Sequence, residues 1–401
     1  MEITGVSATK ISNESWGEFV EFPLVTIMSR YDEYRNVDGE NPQARRKWMG
    51  PVGDVVVEVE TDAGITGVGV ANWGTGAIAT VVEETLSKIV TGEDPTRREL
   101  LWEQMYRATL PFGRKGVAVM AISAVDQALW DIAGKDAGKP VYELLGGPTK
   151  DEIPAYASNL HPVDMEKLER EAVQYAEAGF DAMKLRFLHG PEDGRSGMKK
   201  NEEIVATVRD AVGDDIDVAG DAYMGWSVKY AKKMTQRLAK YDMAWVEEPV
   251  IADDISGYAE VREAAPMPIS GGEHEFTRWG HEDLLEAGAV DILQPDVGRV
   301  GGITEMQKVA DMAEVHDVPV IPHAGTNPTL HAIAGHTNMP MAEYFPTPEW
   351  FQERQAAQES TYADAIFENP PSPEDGSIPL PDEPGVSTQL NRESLEHFAV
   401  E

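Results

Sequence analysis

The 401-residue sequence predicts an α/β protein in which a (β/α)8-type barrel follows a smaller α+β domain. Two observations lead to this fold class. Eight short apolar segments alternate with amphipathic helical patterns between about residues 150 and 345, and a hairpin pattern followed by helical patterns precedes them. The length is sufficient for one large domain and one smaller one. We therefore expect an N-terminal capping domain over residues 1–130, a barrel over 131–365, and a C-terminal segment, 366–401, that wraps back toward the capping domain.

Two stretches predict the structure of the N-terminal domain. Residues 54–71, DVVVEVETDAGITGVGVA, alternate apolar and polar positions around a glycine-containing turn, which is typical of a β-hairpin. Residues 118–135, AVMAISAVDQALWDIAGK, have a helical pattern that we expect to end at Gly134 and Lys135. The C-terminal segment is rich in proline and acidic residues, which indicates an extended stretch along the surface.

Eight segments are candidate barrel strands, and helical stretches such as 202–212 and 304–316 lie between them. The segments are PAYAS (154–158), AMKLRF (182–187), DIDVAGD (215–221), AWVEE (244–248), PISGGE (268–273), DILQPD (291–296), VPVIPH (318–323) and MAEYF (341–345). Eight consecutive strand–helix units favour a closed barrel over an open, doubly wound sheet. The active site of such a barrel lies at the carboxyl ends of its strands.

Composition excludes several classes of function. The chain has 34 lysine and arginine residues against 70 aspartate and glutamate, a net charge of −36, so nucleic acids and anionic membranes are not expected partners. The acidic residues are spread along the chain, which predicts a surface adapted to high salt. The absence of cysteine excludes disulfides and thiolate metal sites. No apolar run approaches the ~20 residues of a membrane span, and the start, MEITGVSATK, lacks a signal-peptide pattern, so we expect a soluble cytoplasmic protein.

Polar residues end six consecutive candidate strands, at intervals of 20 to 27 residues. They are Asp221, Glu247, Glu273, Asp296, His323 and Glu343. Because the carboxyl ends of barrel strands meet at one mouth, we expect these side chains to converge. The first three are carboxylates on neighbouring strands, and their crowding is unfavourable unless a divalent cation neutralises it. An all-oxygen ligand set favours a hard ion, so we predict an Mg²⁺ site formed by Asp221, Glu247 and Glu273.

Two adjacent acids end the fourth strand, and neighbouring residues of a strand face opposite ways. Only one of them can point into the barrel. We assign Glu247 to the metal and Glu248 to a supporting polar network. The alternative interpretation, that each acid only caps the following helix, explains one acid more readily than three at this spacing.

Several motifs together resemble the enolase superfamily, in its mandelate racemase-like branch. They are WDIAGKDAGKPVYELLGG (130–147), VEEP (246–249), SGGEH (270–274), QPDVGRVGGITE (294–305), PHAG (322–325) and the closing PGV (384–386), so that the resemblance spans nearly the whole chain. Within that branch the sequence is most similar to the acid-sugar dehydratases. IMSRYDEY (27–34), ILQPDVGRVGG (292–302) and LNRES (390–394) resemble the L-rhamnonate dehydratases.

The resemblance implies an enolase-like barrel and an Mg²⁺-dependent lyase. Such an enzyme removes the C2 proton of a sugar acid and eliminates the C3 hydroxyl, which gives a 2-keto-3-deoxy acid. We expect a small-molecule sugar acid as substrate, with the L-rhamnonate type as the first choice, and a homo-oligomeric assembly. A dehydratase of D-xylonate or D-gluconate, a racemase and a non-catalytic relative remain alternatives.

The resemblance also implies roles for individual residues. His323 is the expected base, held by the Asp296 carboxylate, which would fix the imidazole tautomer and raise its basicity. Lys184 and Arg186 lie two apart on the second strand and therefore face the same side. The family's racemases carry lysine at both places and use the second as a base. An arginine stays protonated, so Arg186 argues for chemistry by His323 alone, with Lys184 and Arg186 binding the substrate carboxylate or hydroxyls.

Three further positions are candidates for contact with the substrate. Glu343 corresponds to the family residue that hydrogen-bonds the substrate carboxylate. His274 could bind a hydroxyl or act as a second acid, and a purely structural histidine is an equal alternative. Arg45, together with other basic residues near it, could close over the substrate, although a solvated loop explains most of those residues. The glycine-rich GRVGG (298–302) lacks a Walker lysine and a dinucleotide pattern, so we interpret it as a tight turn before a helix.

Overall fold

The computed structural model describes residues 1–12, 24–35, 53–72, 75–162, 164–346 and 366–400. Within these ranges the predicted fold class is confirmed: a barrel of parallel strands and surrounding helices follows a domain with an antiparallel sheet and helices of its own. The two parts have separate apolar cores, and helix Val117–Ala137 contributes to both of them.

The N-terminal domain is built on a three-stranded antiparallel sheet of β1 (Ile3–Ser12), β2 (Gly53–Thr61) and β3 (Thr66–Asn72). The predicted hairpin is confirmed, since β2 pairs with β3 in antiparallel register. The helices are α1 (Thr75–Val81), which continues through the π-helical turn Val82–Leu86 into α2 (Ser87–Val90), then α3 (Arg98–Thr109) and α4 (Val117–Ala137). The alternate residues Val55, Val57 and Val59 are buried in the same cluster as these helices, as the two-residue period of a strand requires.

Helix α4 lies between the two domains. Its residue Leu129 packs in the core of the N-terminal domain, whereas Trp130 packs in the barrel core. By length and composition this helix could cross a membrane, so our expectation that no segment approaches a membrane span is wrong. Most of its residues are buried inside the fold, as is typical of a core helix. The predicted boundary at residue 130 falls within α4, and the division into domains stays a prediction.

The predicted end of helix α4 is also wrong. The helix passes Gly134 and Lys135, continues to Ala137 and closes at Gly138, whose φ of 64° is left-handed. Gly134 has a different reason to be glycine: a Cβ there would lie 2.6 Å from the Cα of Gly385 in the C-terminal segment. The missing side chain therefore permits a close backbone contact and does not end the helix.

The barrel alternates strands and helices. After the short helix α5 (Val141–Leu144), the elements are β4 (Glu152–Leu160), α6 (Met165–Glu177), β5 (Ala182–Arg186), α7 (Gly194–Val212), β6 (Asp217–Asp221), α8 (Val228–Leu238), β7 (Val246–Glu247), α9 (Ile255–Ala264), β8 (Ile269–Gly271), α10 (Thr277–Glu286), β9 (Ile292–Leu293), α11 (Ile303–Val315), α12 (Asn327–Gly335) and β10 (Ala342–Tyr344). Side chains cap several of these helices; Asp164, for example, accepts a hydrogen bond from the Lys167 N–H at 3.0 Å at the start of α6.

The strands pair in parallel in the order β10, β4, β5, β6, β7, β8, β9. The seventh predicted strand, 318–323, is joined to the preceding segment by two parallel bridges, from Leu293 to Val320 and from Asp296 to His323. On its other side the Val320 N–H donates to the Asn338 carbonyl at 2.9 Å, shortly before β10. All eight predicted segments therefore follow one another around the barrel, and their carboxyl ends share one mouth.

The C-terminal segment packs against both domains. Strand β11 (Ser377–Pro379) pairs in antiparallel register with the start of β4, and helix α13 (Arg392–Phe398) lies near β1. A separate apolar cluster joins this segment to the outer side of the N-terminal sheet; it contains Ile11, Val56, Val68, Ile366, Leu390, Leu395 and Phe398. The end of the chain thus covers the face of the sheet opposite its helices.

Candidate active site at the carboxyl ends of the barrel strands

The six predicted strand-end residues lie at one mouth of the barrel. The parallel register places Asp221 beside Glu247, and a parallel bridge places Asp296 beside His323. The five acids among the six are buried, whereas the His323 side chain is 14% exposed. A partly exposed imidazole above buried acids is the group that a small molecule entering the mouth would meet.

His323 and Asp296 form a close pair. The His323 Nδ1 lies 2.7 Å from Asp296 Oδ2, with the nitrogen as donor to the carboxylate. The other ring nitrogen, Nε2, lies 3.6 Å from Glu273 Oε2 and 3.9 Å from Glu343 Oε2. In the neutral imidazole, Asp296 therefore holds the proton on Nδ1 and leaves Nε2 as the atom that can accept one.

The surrounding acids control the protonation of His323. Burial lowers its pKa, but the carboxylates of Glu273 and Glu343 and the hydrogen bond to Asp296 outweigh burial and raise it to about 9. Burial acts to raise the pKa of Asp296, yet the nearby Arg299 and His323 hold it below its ordinary value. Without a further cation in the site, the imidazole is protonated at neutral pH.

The three predicted metal ligands have different partners in the structure. Asp221 Oδ2 lies 3.1 Å from the Arg186 guanidinium, and Asp221 Oδ1 accepts the Tyr223 N–H at 2.7 Å. The two oxygens of Glu247 accept hydrogen bonds from Lys184 Nζ at 2.7 and 2.8 Å. Glu247 Oε2 also accepts from Gln294 at 2.8 Å. Protein cations thus offset much of the charge of the first two acids.

The electrostatics of Asp221 fit a bound divalent cation. Burial raises the pKa of Asp221 to about 6, and repulsion from Glu247 and Glu273 adds to it against the opposing effect of Arg186. Such mutual repulsion among buried carboxylates falls when a cation binds between them. The donors are all carboxylate oxygens, which suit a hard ion such as Mg²⁺. Their role as ligands stays a prediction.

A second grouping of ligand-type atoms shares Glu273. Among the described residues, Glu248, Glu273 and His274 each have one ligand atom within 4.8 Å of the others. His274 Nδ1 lies 2.8 Å from Glu248 Oε2 and 3.4 Å from Glu273 Oε1. Glu248 therefore belongs to a polar network, as predicted, and its backbone φ of 40° shows how sharply the chain turns after β7.

Lys184 is fully buried beneath the mouth and bridges two acids. Its Nζ lies 2.7 Å from Glu247 Oε1 and 2.7 Å from Glu343 Oε1. Burial acts to lower the pKa of Lys184, but these two carboxylates keep it raised. Glu343 is also held by the Ser158 hydroxyl at 2.5 Å and the Ala324 N–H at 2.8 Å. Each of these contacts places Glu343 as an acceptor.

Glu343 is ionised in this arrangement. Burial acts to raise its pKa, but Lys184 and His323 outweigh burial and lower the pKa to about 2. A carboxylate cannot donate a hydrogen bond. The predicted bond to a substrate carboxylate therefore requires Glu343 to gain a proton when the substrate binds, and that role stays a prediction.

The two basic residues of β5 point toward acids of the site. Lys184 is occupied by Glu247 and Glu343, and Arg186 pairs with Asp221 and donates to Ser158 Oγ at 3.3 Å. Their predicted contact with substrate stays a prediction.

The remaining predicted contacts lie around the rim. Burial acts to lower the pKa of His274, but the carboxylates of Glu248 and Glu273 raise it above its ordinary value. Arg45 lies outside the described residues. Arg35, from the same N-terminal stretch, forms an ion pair with Asp193 in the loop after β5. This part of the N-terminal stretch therefore contacts the loop that follows β5.

Sequence reasoning missed three residues of the site. Gln294 lies two before Asp296 on one segment, so a two-residue period could have placed both on the same face. Ser158 ends the predicted segment PAYAS, two residues before the end of β4, and carries no charge to attract notice. Arg299 lies within the glycine-rich stretch that we interpreted only as a turn; the turn is confirmed by Gly301 and Gly302, with φ of 121° and 82°.

Comparison with known proteins identifies relatives along almost the whole chain. Residues 49–146 match the family model described as mandelate racemase / muconate lactonizing enzyme, N-terminal domain, and residues 167–394 match the one described as enolase C-terminal domain-like. The chain is 37% identical to the L-rhamnonate dehydratase of Saccharopolyspora erythraea over 98% of this chain and 95% of that protein.

Solved structures give the same result. The L-rhamnonate dehydratase of Gibberella zeae superimposes with a TM-score of 0.86 at 31% identity and covers 98% of this chain and 94% of its own. A structure of rhamnonate dehydratase from the same organism complexed with Mg superimposes with a TM-score of 0.85 at 30% identity and covers 99% of this chain and 96% of its own.

Proposed function

The chain belongs to the mandelate racemase and muconate lactonizing enzyme family within the enolase superfamily, and from this premise we propose that it is an Mg²⁺-dependent dehydratase of sugar acids. The reaction is the removal of water from an aldonate to give a 2-keto-3-deoxy acid. The relatives described above are dehydratases of this kind, and one of their structures is complexed with Mg.

One observation of the site carries the proposal. The Asp296–His323 pair, with its 2.7 Å hydrogen bond, presents His323 Nε2 beside the buried carboxylate of Glu273. A base next to a group that can hold a cation is the arrangement needed to remove a proton from carbon beside a carboxylate. Such a proton is a very weak acid, so the negative charge that develops must be stabilised in the transition state.

Asp221, Glu247 and Glu273 would hold the cation. When bound, Mg²⁺ supplies positive charge beside the substrate carboxylate, where negative charge grows as the C2 proton leaves. Lys184 and Arg186 keep Glu247 and Asp221 fixed, and their charges offset part of the same anion. The protein groups around the cation are therefore in place before the substrate arrives.

His323 carries out the proton transfers. Its Nε2 takes the C2 proton, and the electron pair of the C–H bond remains on the substrate as an enediolate. That pair then forms the C2–C3 double bond while the C3–O bond breaks. The leaving hydroxyl takes the proton from the His323 imidazolium and departs as water when both groups lie on one face of the substrate. The resulting enol converts to the 2-keto acid, and Asp296 stabilises the imidazolium throughout.

Arg186 separates this reaction from racemisation. A two-base racemase needs a second base opposite His323, and at the end of β5 this chain has a guanidinium paired with Asp221 at 3.1 Å. A guanidinium does not lose its proton in proteins. We therefore place the chain with the dehydratases and not with the racemases.

L-rhamnonate, or a close stereochemical relative such as L-mannonate or L-lyxonate, is our first choice of substrate. The names of the relatives support it. D-xylonate and D-gluconate are the second choice. A site that hydrogen-bonds hydroxyls rejects analogues lacking them by up to ~10⁴ to 10⁵, so inversion at C2 or C3 should lower kcat/KM steeply.

The test is a panel of aldonic acids incubated with purified protein, Mg²⁺ and high salt, with 2-keto acid formation as the readout. We expect the highest kcat/KM for L-rhamnonate or one of its relatives. If D-xylonate or D-gluconate is turned over at least as efficiently, the substrate assignment is wrong and the dehydratase mechanism stands. If no aldonate is dehydrated, the proposed function is wrong.

The salt concentration in which the enzyme works and its oligomeric state are part of the same proposal. The net charge of −36, spread along the chain, supports a cytoplasm of high salt, where screening reduces the repulsion between acidic side chains. We also propose a homo-oligomer, and size-exclusion chromatography with light scattering in high salt tests it. A monomer at micromolar concentration would contradict that part.

A further inference from the structure

Side chains of the N-terminal domain hold the turn after β9 in place. The Gly301 N–H donates to Ser123 Oγ at 2.9 Å, and the Gly301 carbonyl accepts from Trp102 Nε1 at 2.8 Å. At the start of α11, Asp126 accepts the Thr304 N–H at 2.9 Å. All of these contacts are buried. The turn from 296 to 302 is therefore fixed by the neighbouring domain.

Arg299 is the side chain that this turn directs into the site. It is buried, and its guanidinium contacts two acids, one that follows β8 and one that follows β9. Nη1 donates to the Glu273 carbonyl at 3.1 Å and lies 3.3 Å from Glu273 Oε1. Nε lies 3.4 Å from Asp296 Oδ2, which is the same oxygen that accepts the His323 hydrogen bond. The planar guanidinium of Arg299 thus contacts both Glu273, a proposed metal ligand, and Asp296, the partner of the proposed base.

We propose that Arg299 is a positioning residue that fixes Glu273 and Asp296 relative to each other and thereby couples cation binding to the orientation of His323. The roles of Glu273 and His323 rest on the proposed function. The contacts of Arg299 do not depend on it.

The planar shape of the guanidinium explains why an arginine is suited to position 299. Glu273 and Asp296 are both buried, and two carboxylates near each other repel, so without a cation between them they would turn apart. A guanidinium reaches both with fixed geometry, whereas an ammonium is a point charge that can reach only one well. Arg299 also contacts the Glu273 backbone, so it holds the strand end as well as the side chain.

A purely electrostatic role for Arg299 predicts the opposite effect on the affinity for Mg²⁺. If Arg299 only contributed positive charge, its removal would strengthen Mg²⁺ binding, because a competing cation would be gone. If it positions Glu273, its removal weakens Mg²⁺ binding. Supporting groups around a metal site typically contribute ~10- to 100-fold in affinity, so the two alternatives are well separated.

The experiment measures Mg²⁺ binding by isothermal titration calorimetry in the absence of substrate, for the wild type, Arg299→Met and Arg299→Lys. We expect Arg299→Met to weaken binding by about tenfold or more and Arg299→Lys to fall between it and the wild type. Arg278→Met is the matched control. It removes a different arginine, which pairs with the buried Glu305 at 2.6 Å, and should leave the affinity unchanged.

A second readout follows the base directly. In metal-free protein labelled with ¹⁵N-histidine, the Nδ1–H of His323 should give a downfield proton signal because Asp296 accepts it. Arg299→Met should shift or remove that signal, and Arg278→Met should retain it. Unchanged or tighter Mg²⁺ binding in Arg299→Met, or an unchanged His323 signal, would overturn the proposal.

If Arg299→Met does not fold, Arg299→Lys carries the same measurements, and a wild-type affinity in that variant contradicts the proposal. Neither readout uses a substrate. A failure to dehydrate sugar acids would therefore refute the proposed function and leave the result on Arg299 interpretable.

Discussion

Removal of Mg²⁺ should change the protonation of His323. In the metal-free protein, nearby carboxylates raise its pKa from 6.5 to about 9 against the effect of burial. At ~1.4 kcal/mol per pKa unit, this corresponds to roughly 3 kcal/mol in favour of the imidazolium. At pH 7, only about one molecule in a hundred would then hold the neutral base.

The sign of the pH dependence follows from this shift. A raised pKa means that the base form is lost as the pH falls below about 9, so the metal-free protein should have little neutral His323 at pH 7. Glu273 is the carboxylate that raises the pKa of His323 most, and a cation bound there offsets its charge, so Mg²⁺ should lower the pKa toward 6.5. The neutral fraction at pH 7 would rise by up to roughly 100-fold.

The assay is an NMR titration of ¹⁵N-histidine-labelled protein with and without saturating Mg²⁺, with the His323 signal assigned by its loss in His323→Asn. Glu273→Gln in the metal-free state is the control, since it removes a carboxylate 3.6 Å from Nε2 and should lower the pKa without any metal. An equal pKa with and without Mg²⁺ would refute the reasoning. So would a pKa that Glu273→Gln does not change.

Chelation of divalent ions should abolish dehydration and Mg²⁺ should restore it; full turnover by metal-free protein would contradict the metal site. His323→Asn should keep the circular dichroism spectrum of the wild type and lose both dehydration and exchange of the C2 proton with deuterated solvent. If exchange continues at the wild-type rate, another residue is the base. Lys184→Met should lower the free energy of unfolding by ~3 to 5 kcal/mol in urea titrations, because it leaves Glu247 and Glu343 buried without their shared cation; a change below about 1 kcal/mol would contradict the bridging role. Raising KCl from low to molar concentration should increase Tm, since salt screens the net charge of −36, and a Tm independent of salt would count against a surface adapted to salt.

The convergence of the strand-end residues could be predicted from sequence because it depends only on strand order. Asp296 and His323 each end a short apolar segment, and neighbouring parallel strands bring their ends together, as the bridge between them confirms. The contacts of Lys184 could not be predicted in the same way. Its ammonium can reach several acids, and only the three-dimensional distances show that it joins Glu247 to Glu343.

The sequence-based predictions missed or misjudged features that depend on contacts between residues distant in sequence. Gly134 lies where the sequence pattern suggests a helix end. A glycine is required there because the backbone of Gly385, about 250 residues later, approaches it closely. Arg299 reaches Glu273 and Asp296 only because the N-terminal domain fixes the turn at Gly301. No local pattern contains that information, because the partners come together only when both domains have formed.

The apolar cluster beneath the C-terminal segment affects how the protein can be synthesised. Ile11, Val56 and Val68 precede the barrel in the chain, but their covering side chains, among them Leu395 and Phe398, are translated after the whole barrel. On a ribosome adding ~5 to 20 residues per second, the outer face of the N-terminal sheet would stay uncovered for tens of seconds while the barrel is made. Residues 366–400, translated after the barrel, would therefore complete the N-terminal domain, and deleting them would leave an aggregation-prone apolar face on an otherwise finished enzyme.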